Sequence, residues 1–327
     1  LLLLIQAIQI NMSVCEPTVE QKSAYLINIP FSEVFGDNIL PGMVASSQKI
    51  LSLDDMELGP NDVVIASYPK SGTTWVSEVL SCIAFQGDTE TLKGIRMDER
   101  VPWMELDDSK IRAMMPDSPL QSAVSAKGIF DAKKRLFFTH IYPEFLPKAV
   151  KEGRTKLVYV ARNPKDNAVS FFHFHHSAKF LGNQTGLTWA EYFPLFASGH
   201  ICCGSWFKHA LAYWKFTRNN ENAKFIVYED MKKDLMSVME DLEQFVGVPL
   251  TTELREKVVA HCSFGSMKDN KMTNRDGLLL FDDKGPKFMR KGIVGDWKNY
   301  FTVAQNEAFD ELYKKELEGT GLTFEFE

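Results

Sequence analysis

The stretch that most constrains the fold runs from Asn61 to Leu80. Val63 to Ser67 is a short apolar, β-branched run bounded by Asn61-Asp62 and Tyr68-Pro69, the pattern of a buried strand. From Trp75 onward, Val76, Val79, Leu80 and Ile83 recur along one helical face. Between the two lies a loop, Pro69 to Thr74, carrying one lysine and one glycine. A strand that turns tightly into a helix directs free backbone N–H groups and the positive end of the helix dipole at one point, and that geometry holds phosphate. Lys70 adds a full charge, and Ser71, Thr73 and Thr74 add hydroxyl donors. A Walker A loop needs two glycines flanking four residues, then Lys and Ser or Thr. Here Lys70 precedes the only glycine, Gly72, so the loop predicts an anion at a helix N-terminus and speaks against an ordinary P-loop kinase.

The pattern returns along the chain. Lys134–His140, Leu157–Ala161 and Lys224–Tyr228 read as further buried strands. Leu157–Ala161 ends in Arg162-Asn163-Pro164-Lys165-Asp166, where Asn163 suits an N-cap, Pro164 the first helical position and Asp166 the first turn. This is a second anion-ready strand-to-helix turn, and Arg162 offers it a planar fork. His140 closes its strand, and in open α/β sheets ligands gather beyond the carboxyl ends of the strands. A histidine there is a candidate general base. The chain holds seven histidines, so position alone does not select it. His173 and His176 sit at i, i+3, but no third ligand has motif spacing, so a metal is not expected. Near the C-terminus, Phe288-Met289-Arg290-Lys291-Gly292-Ile293-Val294-Gly295-Asp296-Trp297-Lys298 combines cations and glycines, which lets backbone and side chains approach an anion together. Strands alternating with helices predict one α/β domain with a central parallel sheet flanked by helices. Two separated anion sites predict a ligand with two anionic groups.

The net charge of −6 argues against a general nucleic-acid binder and makes any anion site a local basic focus. Five cysteines without a C-x-x-C pair suggest neither a disulfide framework nor a zinc site and fit a reducing, cytoplasmic setting. Cys202-Cys203 reads as packing. Leu1 to Ile10 is apolar but shorter than the ~20 residues that span a bilayer, and it lacks a basic n-region. Residues 1–11 read as a non-native or disordered leader ahead of a natural start at Met12, with a membrane-surface anchor as the rival, and 12–327 as the single domain. Residues 13–60 read as an irregular lead-in with a short strand near Tyr25–Ile29 and a helical piece near Val44–Leu51. Residues 85–131 read as a lid or a loop with short helices, and 178–204 as a second loose segment. Ser205–Phe216, Met236–Val248 and Thr252–His261 read as helices.

Tyr68-Pro69-Lys70-Ser71-Gly72-Thr73-Thr74-Trp75 resembles the 5′-phosphosulfate loop of the cytosolic sulfotransferases, which use 3′-phosphoadenosine 5′-phosphosulfate (PAPS) as sulfonate donor. Other motifs follow in the family's order from about Asn61 to Glu307. Arg162 and Ser170 match the 3′-phosphate ligands, as do Arg290, Lys291 and Gly292 in R-K-G-x-x-G-D-W-K, with Phe288 and Met289 leading into them. Trp75, Tyr228 and Phe264 match positions around the adenine; without the resemblance, core packing would be the better reading of Trp75 and of Tyr228. Thr139-His140 matches the pair that carries the catalytic base. Trp103 and Phe174 match aromatic positions at the acceptor, although Trp103 also suits a surface-loop aromatic packed on the core. Lys298, Thr302, Val303 and Glu307 fit the short homodimerisation motif K-x-x-x-T-V-x-x-x-E. The resemblance thus implies a P-loop-kinase-like sulfotransferase fold. It implies sulfonate transfer from PAPS to a hydroxyl of a small apolar, alcohol or phenolic acceptor, with His140 and Lys70 catalytic, no metal, and adenosine 3′,5′-bisphosphate (PAP) as product.

Two departures stand out. Cys262 replaces the family's usual threonine before Ser263 and Phe264, which weakens one polar nucleotide contact. Phe138 replaces the lysine two residues before the histidine, and it cannot donate to the transferring sulfonate. Loss of one such donor commonly costs roughly 3 kcal/mol of barrier. Hence two rivals: a dehydratase that uses sulfonation to activate a leaving group, and a PAPS binder without useful turnover. Ala178 lies where catecholamine-selective relatives carry an acid, so poor discrimination in favour of protonated amines is expected.

Overall fold

The computed structural model describes residues 13–114, except Asp37, and 134–327, except Asp276, Gly277 and Leu279. The leader at 1–11 and residues 115–131 of the expected lid lie outside the described residues.

A short antiparallel hairpin, β1 (Glu33–Phe35) and β2 (Asn38–Leu40), precedes the central sheet. The sheet is built from β3 (Asp62–Ser67), β4 (Arg135–Thr139), β5 (Lys156–Ala161) and β6 (Ala223–Val227). All are parallel, in the order β4-β3-β5-β6. The four expected strands are therefore present, with ends shifted by a residue; Tyr228 opens a helix instead of closing its strand.

Every residue of β3 is buried. Alternate side chains enter opposite layers, as the two-residue period of a strand requires. Val63 and Ile65 join Val158, Val160 and the helix residues Val76, Val79, Leu80 and Ile83. Val64 and Ala66 join Leu157, Tyr159 and Tyr213 on the other face. A parallel sheet needs both faces covered, and each fully buried Val or Ile contributes about 1.5–3 kcal/mol toward that. The sequence supplies apolar residues at consecutive positions for this reason.

The helices following β3 and β5 span Thr73–Ala84 and Pro164–His175. Trp206–Arg218, Leu235–Val246 and Thr252–His261 complete the expected set. Before Met115 the lid segment holds short helices at Thr89–Leu92, Met97–Arg100 and Asp108–Met114. The helical piece of the lead-in is Ser47–Ser52, capped by Ser46.

Two expectations fail. Tyr25–Ile29 is not a strand: Val19–Asn28 is a helix started by a capping box between Thr18 and Gln21. That cap outweighs the β-branched residues after it. The segment 178–204 is not loose throughout, because Trp189–Ser198 is a helix with a Thr188/Glu191 capping box. Pro194 lies inside it, at a place where sequence reasoning favours a break.

Candidate active site

β3 and β5 are neighbours whose connections leave in opposite directions, β3 toward β4 and β5 toward β6. A crevice opens at such a switch point beyond the carboxyl ends. Both anion-ready turns meet there. Asn167, in the first turn after β5, donates to Pro69 O (3.0 Å) and to Ser71 Oγ (2.9 Å), tying the two turns together.

In the first turn Gly72 is the helix N-cap at φ 110°, and Ser67 and Thr73 hydroxyls meet at 2.6 Å across it. A Cβ on Gly72 would stand 2.8 Å from the Tyr228 ring. Thr73, Thr74 and Trp75 begin the helix, so their N–H groups have no intrahelical partners. Lys70 itself has a positive φ of 68°, unusual for a side chain. Its Nζ lies 3.7 Å from the Phe288 ring centroid and donates to Phe288 O at 3.3 Å. Burial, with Arg275, Arg162 and Arg290 nearby, pulls the Lys70 ammonium down to about 7.

In the second turn Asn163 caps its helix through Asp166 N, and Pro164 follows. Arg162 is nearly buried, donates to Ile293 O (2.9 Å) and lies over the Tyr228 ring at 4.5 Å. Its Nε is buried without a hydrogen-bond partner among the described residues. Ser170 lines the same cavity. The C-terminal loop closes over this turn. Asp166 accepts from Gly295 N (2.8 Å) and Trp297 N (3.0 Å). Arg290 and Lys291 converge on Asp296 at 2.5 and 2.6 Å. Burial would raise the Asp296 pKa, but bonds from Lys291 and Arg290 hold its carboxyl below the usual range.

Aromatic surfaces flank these turns. Trp75 packs edge-on to Tyr228 at 5.3 Å and its Nε1 donates to Cys262 O at 2.9 Å. The Cys262 thiol instead meets Cys82 Sγ at 4.0 Å. So this residue's polar contact with the site runs through its carbonyl. Gly292, at φ 64°, lets Phe264 lie against the backbone: a Cβ there would come within 2.2 Å of the ring.

His140 ends its strand on the other side of β3. Its Nδ1–H donates to Ser67 O at 2.8 Å, which leaves the lone pair on Nε2. Burial, reinforced by Arg275 and Lys70, lowers its pKa to about 4 despite the bond to Ser67. Buried Glu105 fixes the backbone, accepting from His140 N and Thr139 Oγ1, both at 2.7 Å. Burial raises the pKa of that carboxyl. Trp103 is half-buried, packs on the core and also lines the cavity. It bridges to β4 at Phe138 and stacks on that ring at 5.7 Å and 13°.

A cavity of about 230 Å³ joins these parts. His140, Trp103, Phe138, Phe174, Phe180 and Phe281 line it together with Lys70, Gly72 to Trp75, Arg162, Ser170, Tyr228, Cys262, Phe264 and Phe288 to Gly292. Only Ser71 of the expected site residues is absent from that lining; it is fully buried and bonded to Asn167. Ala178 is buried, pairs with Phe281 and does not line the cavity.

Four residues emerge only here: Asn167, Asp166 in its clamping role, Glu105 and Arg275. Asp166 and Asn167 sit in a turn already marked by capping, so their place was visible but not their partners. Glu105 and Arg275 carry no local signal. His173 and His176 are engaged by Tyr300 OH (2.7 Å) and Leu187 O (2.8 Å). Among the described residues Glu78, Cys82 and His261 bring metal-ligand atoms together. Glu78, however, already accepts from Arg100, His261 and Thr273, which makes this a salt-bridge network.

The chain is 37% identical over 298 residues to sulfotransferase 1C2 of Homo sapiens, covering 90% of this chain and 95% of that one. It is 38% identical over 284 residues to sulfotransferase 1B1 of Canis lupus familiaris, covering 84% and 90%. Among solved structures, mouse sulfotransferase SULT7A1 complexed with PAP matches with a TM-score of 0.68 at 32% identity, over 89% of this chain and 95% of that one. Retinol dehydratase in a complex with retinol and PAP matches with a TM-score of 0.77 over 95% and 98%, a likeness of fold alone at 24% identity. The sulfotransferase domain family matches residues 60–321, and with these relatives it places the chain in the sulfotransferase family.

Proposed function

We propose that residues 12–327 act as one domain that transfers a sulfonate group from PAPS to a hydroxyl of a small apolar alcohol or phenol, with His140 as general base. The observation that carries this is the tautomer of His140, set by its bond to Ser67 O, in a cavity shared with the anion-ready turns. The residues present suit an anionic nucleotide. Six cations, Lys70, Arg162, Lys232, Arg275, Arg290 and Lys291, line one cavity in a chain of net charge −6. Lys70 is pulled toward neutrality by burial and then by its cationic neighbours, and Arg162 Nε lacks a partner among the described residues. Both features call for a bound anion.

In this reading Lys70, Gly72, Thr73 and Thr74 hold the 5′ end, with Ser71 bracing the turn from behind through Asn167, and Arg162, Ser170, Arg290, Lys291 and Gly292 hold the 3′-phosphate. Trp75, Tyr228 and Phe264 face the adenine, with Cys262 fixing Trp75 and with Phe288 and Met289 closing the side. When bound, PAPS supplies the sulfonate. His140 Nε2 takes the acceptor proton, and Lys70 neutralises charge on the departing phosphate. A pKa near 4 makes His140 a weak base, but an anion beside Lys70 and Arg275 cancels part of the field that lowers it. Donor binding therefore strengthens the base. Trp103, Phe138 and Phe174 wall the acceptor. Lys298, Thr302, Val303 and Glu307 form a small symmetric dimer contact, supported by a Val303 that is 75% exposed. Five free cysteines suit work in the cytosol. No helix among the described residues is long and apolar enough to cross a membrane.

The test is PAPS turnover on phenols and hydroxysteroids, with PAP binding measured in parallel. His140→Ala should lower kcat by about 10²–10⁴-fold and leave PAP affinity unchanged. Full activity in that variant would refute the role of His140. Phe138, a ring where a donor would help, favours a second reading as a dehydratase or a binder. A sulfate ester, an alkene or no product separates these outcomes.

A further inference from the structure

Phe138 brings no charge to the reacting centre, yet a second cation stands against its ring. The guanidinium carbon of Arg275 lies 5.2 Å from the Phe138 ring centroid and 5.3 Å from that of Phe288. Phe288 is the ring over which Lys70 Nζ sits, and the Phe138 ring is 5.6 Å from that of His140. Arg275 is thus one aromatic ring away from both groups assigned to the chemistry, and it lines the same cavity. Its Nε is buried and has no hydrogen-bond partner among the described residues. Buried guanidinium N–H groups are expensive to leave unmet, and one facing a cavity marks the place of a ligand acceptor.

The chain holds this side chain in place with some force. Arg275 has a φ of +62°, a left-handed conformation that persists only where the surroundings impose it. The residues before it are pinned. Met272 O accepts from Met97 N (2.7 Å), Thr273 Oγ1 donates to Glu78 Oε2 (3.2 Å), and Asn274 Nδ2 donates to Lys268 O (2.8 Å). Glu78 belongs to the helix that starts at Gly72 and is itself fixed by Arg100 (2.8 Å) and His261 (2.7 Å). The buried network below the first anion turn therefore also sets the position of Arg275. Among the charges that lower the Lys70 pKa, Arg275 ranks ahead of Arg162 and Arg290, in keeping with its proximity.

We propose that Arg275 is a catalytic residue that donates to the sulfonate in transit, supplying from a distant loop the charge that Phe138 cannot. This rests on the PAPS-dependent reading above. In the transfer, the acceptor oxygen bonds to sulfur. The bond between sulfur and the bridging phosphate oxygen breaks, leaving its electron pair on the phosphate of PAP. The acceptor proton passes to His140 Nε2. Arg275 forms no covalent bond; its N–H groups meet the non-bridging sulfonate oxygens, which PAPS has and PAP lacks.

The experiment uses the full chain and the variants Arg275→Met and Arg275→Met with Phe138→Lys. It measures PAP affinity, PAPS affinity, and kcat and KM with an uncharged phenol and with a carboxylated phenol. Arg275→Met should bind PAP like the wild type, which also shows that it folds. It should lose about tenfold in affinity for PAPS relative to PAP. Its kcat should fall about a hundredfold with little change in acceptor KM. Adding Phe138→Lys should restore kcat by about tenfold or more. Wild-type kcat and PAPS affinity in Arg275→Met overturn the proposal. So does a loss confined to the KM of carboxylated acceptors, which would make Arg275 an acceptor-recognition group, and so does failure of Phe138→Lys to rescue. A wild type that binds neither PAP nor PAPS sinks the underlying reading. A wild type that transfers sulfonate but is indifferent to Arg275 sinks this inference alone.

Discussion

The two sides of the cavity are built by different means. On the proposed reading the donor side is made of short runs of chain: Lys70 to Trp75 and Phe288 to Gly292 each contribute several lining residues, and the second turn adds Arg162 and Ser170. Backbone hydrogen bonds to Asp166 and Asn167 lock them together. The acceptor side is assembled from separate side chains, with Phe35, Trp103, Tyr142, Phe180, Cys203 and Phe281 arriving from as many segments. An anion is held by backbone N–H groups, and backbone geometry needs a local motif. An apolar wall needs only volume and shape, which residues distant in sequence supply equally well. The donor side should accordingly be brittle toward single backbone changes, and the acceptor side tolerant in binding but selective by charge.

For this contrast between the two sides, the largest expected effect comes from Gly292→Ala. A Cβ would meet Phe264 at 2.2 Å and the residue would be held at φ +64°. The strain is on the order of 1–3 kcal/mol, so PAP affinity should fall about ten- to a hundredfold, read by calorimetry, while acceptor KM stays near its wild-type value. Wild-type affinity would show that the donor side is not sterically locked.

Smaller is the charge preference of the acceptor side. Lys70 and Arg275 line the cavity, and Ala178 brings no acid to it. Dopamine should show a kcat/KM lower than that of an uncharged phenol of similar size by about tenfold. A marked preference for dopamine would mean that Glu105 or Asp98, which also line the cavity, receives the ammonium.

Smallest is a proton. In the ligand-free protein Lys70 is lowered to about 7, so at pH 8 it is mostly neutral. A bound anion raises its pKa, so binding of PAP at pH 8 should take up a fraction of a proton and at pH 6 almost none. Binding heats in buffers of different ionisation enthalpy measure this. Equal uptake at both pH values would place the anion away from Lys70.

Much of this contrast was already present in the sequence. The four strands, both anion-ready turns and the basic glycine loop are written in local order, since a strand, an N-cap and a glycine at positive φ each depend on a few neighbouring residues. The same locality explains the errors. The apolar residues between Tyr25 and Ile29 suit a short strand, but the Thr18 capping box upstream makes the segment a helix. Pro194 locally favours a break, and the Thr188 capping box and aromatic packing override it.

The sequence alone thus determined the layered α/β architecture and the two anion-ready helix starts, because those depend on short-range periodicity and capping. Only the tertiary structure decided which distant groups meet: Ser67 O setting the His140 tautomer, Asp166 clamping the loop at Gly295, and Arg275 reaching the ring of Phe138. Such contacts are fixed by the order of strands in the sheet and by the buried network around Glu78, and neither leaves a trace in the residues next to them in the chain.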